Sequence, residues 1–236
     1  IGVDQVKKKE YPYFFIKADI EDFIYEKPVE WFESFDLISA SPPCQFHSKT
    51  KHLAIAQGNL PSDIDHLPMI RQFLKSLDVE YVIENVPEAW DKEERKKITY
   101  SCGSHFGLGV QRHRYFEASF PIEQLKCDHN SPHWPIGPKG KPKPIGVYGR
   151  KGDKIKGMCH KTGKMQTGGW TAKTVEEAQQ AMGITHISSW RNLCQAIPPA
   201  YTEHISKCFF KHMEAKEAGI LSIPEKSTHQ VSLEQF

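Results

Sequence analysis

The chain has 236 residues, a formal net charge of +2 at pH 7 and a 39% share of hydrophobic residues. This hydrophobic content is ordinary for a globular chain, and the length fits one domain with an inserted segment. Six cysteines without a framework spacing argue against a disulfide-stapled secreted scaffold. Because no stretch approaches the apolar length of a membrane span and nothing at the start resembles a signal peptide, we expect a cytoplasmic protein.

Short apolar runs alternate with amphipathic segments along the first half of the chain. Strands are predicted near residues 1–4, 14–18, 35–40 and 80–85, followed by a hairpin-like pair near 98–101 and 112–117. Helices are predicted at 20–26, 67–77, 174–182 and from about 200 to 216, and Thr174 starts a capping-box pattern. Strands that alternate with helices predict an α/β fold with a largely parallel sheet.

The first candidate reactive group is Cys44, which falls just past the apolar run at 35–40. Open α/β sheets place their chemistry at the carboxyl ends of the strands. Pro42 and Pro43 restrict the backbone of this loop, so the position of the sulfur is well defined. An isolated cysteine beside a strand is more often a small buried hydrophobic residue, but two consecutive prolines at a strand end favour a nucleophile.

Two further blocks carry polar side chains at predicted strand positions. Glu84 and Asn85 come at the end of the apolar run that begins near residue 80, although such a carboxylate can also simply face solvent. Arg112 and Arg114 alternate along a predicted strand and so share one face, an arrangement that also occurs on solvated sheet edges. The pattern predicts a thiol, a carboxylate and two guanidinium groups at one site.

In order and approximate spacing, these blocks resemble the DNA (cytosine-5)-methyltransferases, in particular the small stand-alone enzymes of phages and prophages. The blocks are Pro43-Cys44-Gln45, Glu84-Asn85-Val86 and Gln111-Arg112-His113-Arg114, together with Cys194 to Tyr201, which resembles the last family motif. The resemblance runs from Ile1 to about Lys211. It implies a Rossmann-like, S-adenosylmethionine-dependent methyltransferase sheet with a small irregular target-recognition insertion. It also implies a bacterial or phage-infected host cell, in which such enzymes serve restriction-modification.

The family chemistry implies a role for each matching residue. Cys44 would add to C6 of a cytosine flipped out of double-stranded DNA, so that C5 can take a methyl group from S-adenosylmethionine. Glu84 would stabilise the charge that develops in the ring, and Arg112 and Arg114 would hold the pyrimidine edge and a phosphate. Pro42, Gln45 and Asn85 would line the base pocket.

The cofactor residues implied by the resemblance lie at both ends of the catalytic region. Asp4 would bind the ribose hydroxyls and Asp19, with Ile20, would meet the adenine. Pro43 and Gln195 would also contact the cofactor, although Gln195 replaces the asparagine usual in the family. The Phe-x-Gly-x-Gly loop that opens the family is not found, so we expect about 25 N-terminal residues to be missing. A complementary N-terminal segment or chain is then an expected partner of an otherwise monomeric enzyme.

The segment 135–166 is strongly basic and rich in glycine and proline. It holds nine basic residues against the single acid Asp153, a local charge of +8 that leaves -6 for the rest of the chain. The basic residues are Lys139, Lys141, Lys143, Arg150, Lys151, Lys154, Lys156, Lys161 and Lys164. This asymmetry predicts DNA contact by a loop with little packed core, and a disordered basic linker is the alternative.

Domain boundaries follow from these assignments. We expect a catalytic domain at 1–120, a target-recognition region at 121–188, a returning motif and helix at 189–216 and a tail at 217–236. Cys127, His129, His133, Cys159 and His160 match no standard zinc spacing, so no metal site is predicted. Cys102, Cys194 and Cys208 are expected to be reduced core residues.

Three other functions fit parts of the pattern. A tRNA cytosine-5 methyltransferase shares the Pro-Cys-Gln and Glu-Asn-Val blocks, and the basic insertion favours DNA over it. A non-catalytic DNA-binding remnant would have no need of four retained reactive side chains. A cysteine hydrolase could use His47 beside Cys44, but it would leave Glu84 and the arginine block unexplained.

Overall fold

A computed structural model describes residues 1–44, 46–47, 64–132, 134–137, 140–152, 154–158 and 165–220. The chain divides into two compact units. The first contains residues 1–98, 115–121 and 211–236, and the second contains 99–114 and 122–210. The domain boundaries expected from the sequence remain a prediction, because they were defined by function.

Parallel strand pairs form the framework of the first unit. Strand β1 (Gly2–Asp4) pairs in parallel with β2 (Phe15–Lys17), and β3 (Leu37–Ala40) pairs in parallel with β4 (Glu80–Asn85). On its other side β4 pairs antiparallel with β6 (Arg114–Ala118). The predicted α/β class is therefore confirmed, with one antiparallel strand beside the parallel pairs.

Helices pack against this framework through buried apolar side chains. They are α1 (Ile20–Glu26), α2 (Val29–Glu33) and α3 (Leu67–Ser76). Helix α3 buries Leu67, Ile70, Phe73 and Leu74 in a core that also holds Ile83 of β4. That spacing matches one face of a helix with 3.6 residues per turn.

An ion-pair network connects α3 to β6 and to Glu94. Arg71 of α3 lies 2.7 Å from Glu117 of β6 and 2.9 Å from Glu94, and its guanidinium stacks over the ring of Trp90. Lys75 reaches the second oxygen of Glu117 at 2.8 Å. Because Glu117 is well shielded from water, this pairing fixes the register between the helix and the strand.

The second unit has its own core, built around a helix and the middle of the basic segment. Helix α4 (Val175–Met182) begins at Thr174, whose side chain accepts from the amide of Glu177 at 3.1 Å, as the sequence predicted. It ends at Gly183, whose φ of 64° is the left-handed conformation that glycine adopts without strain. The buried residues of this core are Val110, Ile145, Val147, Ala172, Ala178, Ala181, Met182, Ile184 and Leu193.

The basic segment is more ordered than its composition suggested. Strands β7 (Lys154–Met158) and β8 (Met165–Trp170) pair antiparallel, and Ile145 and Val147 just before them are buried. The expectation of a loop with little packed core is corrected accordingly. Alternating apolar residues between the glycines and prolines supply enough buried surface to pack against α4.

The remaining elements follow the prediction with three differences. Strand β5 (Thr99–Ser101) and helix α6 (Pro199–Glu217) lie where they were expected. The sequence missed α2 and α5 (Trp190–Gln195), because both are short and have little apolar periodicity. Strand β6 begins at Arg114, so Arg112 precedes the strand. Among the described residues, no helix is long and apolar enough to cross a membrane.

Candidate active site

The carboxyl ends of β3 and β4 place the candidate nucleophile and carboxylate at one edge of the first unit. Ala40 pairs with Ile83, so the Pro42–Cys44 loop leaves β3 beside the position of Glu84. Glu84 retains only 9% of its exposed surface. Parallel strands end at a common edge, so the register alone brings the two blocks together although forty residues separate them in the chain.

Asn85 holds the proline loop against the end of β4. Its side-chain amide donates to the carbonyl oxygen of Pro42 at 3.2 Å, and its side-chain oxygen accepts from the amide of Val86 at 2.8 Å. Asn85 is 1% exposed, so both bonds are shielded from water. These two bonds fix the loop, and the base contact that the resemblance implied for Asn85 stays a prediction.

Cys44 is half-buried at the tip of this loop, between the exposed Pro43 and a turn. Its carbonyl oxygen accepts from the amide of His47 at 3.1 Å. The imidazole of His47 in turn contacts Asp65 at 2.9 Å, and the same carboxylate oxygen accepts from the amide of Leu67 at the start of α3. Gln45 lies outside the described residues.

The acids expected to bind the cofactor lie at the carboxyl ends of β1 and β2. Asp4 accepts from the amide of Val6 at 2.7 Å and lies 3.3 Å from the Lys8 ammonium group. Asp19 precedes α1 and accepts from the amide of Glu21 at 2.9 Å, which lowers the pKa of Asp19. Both carboxylates are thus oriented by backbone amides.

Ile20, the third residue of this group, is partly buried and packs against the core of the first unit. The side-chain amide of Gln5 also donates to the Asp19 carboxylate, so side chains link the ends of β1 and β2. The side chains of Asp4 and Asp19 therefore face one region of this unit, where parallel strands end.

The arginine block and the last motif belong to the second unit. The Arg112 guanidinium donates to the carbonyl oxygens of Cys194 at 2.6 Å and Val147 at 3.3 Å. The buried hydroxyl of Tyr201 donates to the carbonyl oxygen of Arg112 at 2.6 Å. Arg112 therefore joins three segments of this unit, a role that the alternating pattern of the sequence did not reveal.

The neighbours of Arg112 differ in exposure. The Arg114 side chain donates to the carbonyl oxygen of His113 at 2.8 Å. Gln195, the last residue of α5, is exposed, whereas Cys194 is half-buried and burial raises the pKa of its thiol. A hydrogen bond from Tyr201 was missed by sequence reasoning, although the Pro-Pro-Ala-Tyr motif is the signal that could have found it.

The basic side chains that the structure describes lie on two turns of the second unit. Lys141 is exposed beside Gly140, whose φ is 70°, and Lys143 is half-buried. Arg150 and Lys151 are exposed between Gly149 and Gly152, which also have positive φ. Lys139 lies outside the described residues. Glycine turns of this kind direct long cationic side chains into solvent, where phosphates could be contacted.

The glycine run at 103–109 has a packing role. A side chain on Gly103 would place its Cβ 1.8 Å from the carbonyl oxygen of Val110, so only glycine fits. Gly107 has a φ of 66° and ends the 3-10 helix Gly103–Phe106. Backbone geometry therefore explains these glycines without a cofactor.

The comparisons with known proteins give fold similarity only. No protein-family model matches the chain, and no curated protein matches it. The solved structures to which the chain is similar include the following two. One is a mutant of DNMT2 from Spodoptera frugiperda, with 14% identity, a TM-score of 0.45 and coverage of 83% of this chain and 85% of that chain.

The other is a candidate DNA modification methyltransferase encoded within an E. coli prophage. It shares 12% identity with a TM-score of 0.44, over 85% of this chain and 86% of that chain. Similarity at these values assigns no activity, so the argument for function rests on the residues of this chain.

Proposed function

We propose that the chain is an S-adenosylmethionine-dependent DNA (cytosine-5)-methyltransferase that acts through Cys44. The observation that carries the proposal is the pairing of β3 with β4, which brings a half-buried thiol and a buried carboxylate to one edge. A thiol nucleophile beside a carboxylate is the combination needed to add to an electron-poor ring and to stabilise the charge that forms.

The proposed reaction begins with the Cys44 thiolate, which forms a bond to C6 of the flipped cytosine. Glu84 would share a carboxyl proton with N3 of the ring, where the displaced electron pair would otherwise build up negative charge. C5 would then use this electron pair to take the methyl group while the bond from the methyl group to the cofactor sulfur breaks and S-adenosylhomocysteine leaves. A base would remove the C5 proton, and the C6–sulfur bond would break to release the thiolate. The Asn85 tether keeps the sulfur at a fixed position during both bond-making and bond-breaking.

The residues at the ends of β1 and β2 fit the cofactor in their chemistry. S-adenosylmethionine supplies an electrophilic methyl group when it is bound. Asp4 and Asp19 would accept hydrogen bonds from ribose hydroxyls and the adenine amine, because backbone amides already orient both carboxylates. Ile20 would add an apolar surface. Pro43 and Gln195 complete the set that we propose.

The second unit would grip the substrate. Exposed Lys141, Arg150 and Lys151 would contact phosphates. Arg112 and Arg114 would act at the pyrimidine edge, and the two carbonyl contacts of Arg112 would keep its guanidinium in place. Lys139, Lys143, Gln45 and Pro42 remain proposed substrate contacts. The proposed location is the cytoplasm of a bacterial or phage-infected cell.

A covalent-trapping experiment tests the proposal. The chain is incubated with S-adenosylmethionine and duplex DNA that carries 5-fluorocytosine, since fluorine at C5 blocks proton removal and traps the sulfur–C6 bond. We expect a protein–DNA adduct by mass that is absent in Cys44→Ala and present in the control Cys208→Ala. An adduct that persists in Cys44→Ala would contradict the mechanism.

A parallel incubation with tRNA that carries 5-fluorocytosine separates the two substrate classes. An adduct with duplex DNA but not with tRNA supports the proposal. An adduct with tRNA alone would replace DNA by RNA as substrate. No adduct with either would leave a DNA-binding remnant, which a filter-binding measurement with the same duplex would reveal.

A further inference from the structure

Four side chains with metal-binding atoms converge in the second unit, and none of the four has been given a role in methyl transfer. They are Cys102, His113, Cys127 and His129. Their sulfur and imidazole nitrogen atoms all lie within 4.8 Å of one another. Two thiols and two imidazoles form the Cys₂His₂ set that holds Zn²⁺ in structural sites.

The distances between these atoms agree with a tetrahedral zinc centre. Zinc bonds of about 2.3 Å to sulfur and 2.0–2.1 Å to nitrogen separate two nitrogens by about 3.4 Å, and a nitrogen from a sulfur by about 3.6 Å. His113 Nε2 lies 3.3 Å from His129 Nε2 and 3.5 Å from Cys127 Sγ. His129 Nε2 lies 3.8 Å from Cys102 Sγ. One ion can therefore reach all four atoms after small side-chain adjustments.

The chain holds these ligands through a close local scaffold. Cys102 is fully buried and precedes the 3-10 helix Gly103–Phe106. Ser104 Oγ donates to Cys102 Sγ at 3.2 Å and accepts from the amide of Asp128 at 3.2 Å. The loop that carries Cys127 and His129 is thereby tied to the turn that carries Cys102.

His105 lies beside the four ligands and supports one of them. Its Nδ1 accepts from the amide of Cys102 at 3.4 Å, so the ring proton is assigned to Nε2. That nitrogen donates to Cys127 Sγ at 3.2 Å. An N–H donated to sulfur is the kind of contact that orients and stabilises a metal-bound thiolate.

A cation explains this arrangement better than hydrogen bonding among the same groups. The facing Nε2 atoms of His113 and His129 are 3.3 Å apart, and neither approaches a carboxylate in this group. Without an ion, one ring must donate to the other and its partner must turn its remaining proton away. A metal ion accepts the lone pairs of both rings at once, which is the geometry that the four side chains present.

We propose that Cys102, His113, Cys127 and His129 bind one Zn²⁺ ion in a closed structural site. Four protein ligands fill the four tetrahedral positions, so the ion has no open position for a catalytic water. His113 lies between Arg112 and Arg114 in the chain, so the ion would fix the arginine block to the 127–129 loop. The proposal does not depend on the methyltransferase assignment.

Metal analysis of the full 236-residue chain tests the site. The protein is purified without a histidine tag, kept reduced, incubated with Zn²⁺ and freed of excess ion by gel filtration. We expect one zinc per chain in the unmodified protein and in the control Cys208→Ser. The double variant Cys102→Ser/Cys127→Ser should bind Zn²⁺ more than about a hundredfold more weakly. Retention of zinc by this double variant would overturn the proposal.

Replacement by Co²⁺ gives a readout that does not depend on buried variants. We expect the intense visible bands of tetrahedral cobalt and a sulfur-to-cobalt charge-transfer band in the unmodified chain. His129→Ala removes the exposed ligand and should weaken the visible bands without unfolding the core. His105→Gln should keep one metal per chain, because His105 is outside the ligand set.

Three results would reject the assignment. Octahedral cobalt spectra without sulfur charge transfer would show that the thiols do not bind the ion. Loss of metal in His105→Gln with retention in His129→Ala would show a different ligand set. A chain that takes up no zinc and weighs about 2 Da less without reductant would show a disulfide between Cys102 and Cys127 instead.

Discussion

The Pro42–Cys44 loop and the Cys102–His129 cluster both present cysteine, but they are built in different ways. In the first unit, one thiol stands on a stiff loop that Asn85 ties to the end of a strand. In the second unit, two thiols and two imidazoles from separate segments converge within 4.8 Å. A single presented thiol suits a nucleophile, whereas converging soft ligands suit a metal ion.

The groups around a cysteine decide its chemistry. Burial, followed by the charge of Cys102, raises the pKa of Cys127 to about 11 when no cation is present. Such a thiol is a poor nucleophile at neutral pH, and a cation would reverse this effect. Cys44 is half-buried on a loop with proline on one side and a turn on the other.

The largest expected effects come from replacing one cysteine in each of the two regions. Cys44→Ser should lower the rate of methyl transfer by at least about a thousandfold, because the nucleophile is lost, while the unfolding midpoint stays unchanged. Cys102→Ser should instead lower the unfolding midpoint and remove the zinc. Methylation assays and urea titrations measure both. If Cys44→Ser lost stability as well as activity, Cys44 would have a structural role and the distinction between the two regions would be wrong.

A second expected effect tests the tether of the Cys44 loop. Asn85→Ala leaves the carbonyl of Pro42 and the amide of Val86 without their partner in a buried place, which costs about 1–3 kcal/mol of unfolding free energy. The rate of methyl transfer should fall as well, because the sulfur is no longer fixed. Gln180→Ala, an exposed amide on α4 of the second unit, is the control for stability. Unchanged kinetics in Asn85→Ala would show that the tether does not position Cys44.

A third substitution asks whether Arg112 holds the second unit together. Arg112→Lys keeps the charge, but an ammonium group cannot bridge the carbonyls of Val147 and Cys194 in the same planar geometry. We expect a loss of about 1–3 kcal/mol in urea unfolding. Arg191→Lys, an exposed arginine on α5, should change little. An unaltered unfolding curve for Arg112→Lys would assign Arg112 to substrate binding alone.

Charge removal on the two basic turns should have a smaller, graded effect. Each of Lys141→Gln, Arg150→Gln and Lys151→Gln should reduce the slope of log K against log salt by about 0.9 if that side chain neutralises one phosphate of duplex DNA. Fluorescence anisotropy at several salt concentrations measures the slope. Lys173→Gln, exposed in the same unit, is the matched control. If all four variants kept the slope of the unmodified chain, these turns would be excluded from the DNA contact.

The smallest expected effect concerns the acid limb of stability. Burial would raise the pKa of Glu80, but hydrogen bonds from Lys216, Ser119 and His212 outweigh it and lower the pKa to about 2 from 4.5. Because the pKa is lower in the folded state, this stabilisation is complete above about pH 4.5 and is lost as the pH falls towards 2.

Glu80→Gln tests this dependence. The difference in unfolding free energy between the unmodified chain and Glu80→Gln should be constant above pH 4.5 and shrink towards zero near pH 2. Glu203→Gln is the control, because the Glu203–Lys207 pair at 2.7 Å is exposed and surface pairs contribute little. A pH-independent difference for Glu80→Gln would contradict the cause given for the shift.

Local patterns in the sequence were enough to predict most elements and the candidate nucleophile. The apolar run before Cys44 and the Thr174 capping pattern each depend on neighbouring residues, and the strand and the cap occur where they were expected. The packing of Ile145 and Val147 was not predicted, because glycine and proline dominate the composition around them.

Local sequence patterns could not identify the proposed zinc ligands. In the sequence, Cys127 and His129 lie near His133, Cys159 and His160, and this set matches no standard zinc spacing. The last three residues lie outside the described residues. The actual neighbours of Cys127 and His129 are Cys102 and His113, which approach only after the chain folds. Spacing along the chain could not identify this set, because Cys102, His113 and the segment with Cys127 and His129 do not follow the spacing of a zinc knuckle.

The sequence by itself determined the alternation of strands and helices, the rigid Pro42–Pro43 loop and the basic character of the 135–166 segment. Those features depend on residue type and on periods of two or 3.6 residues. Tertiary structure alone decided which strand ends share an edge, that Asn85 ties the loop, that Arg112 bridges two carbonyls and that four metal-binding atoms converge. Contacts between residues distant in sequence depend on register and packing, which no local pattern encodes.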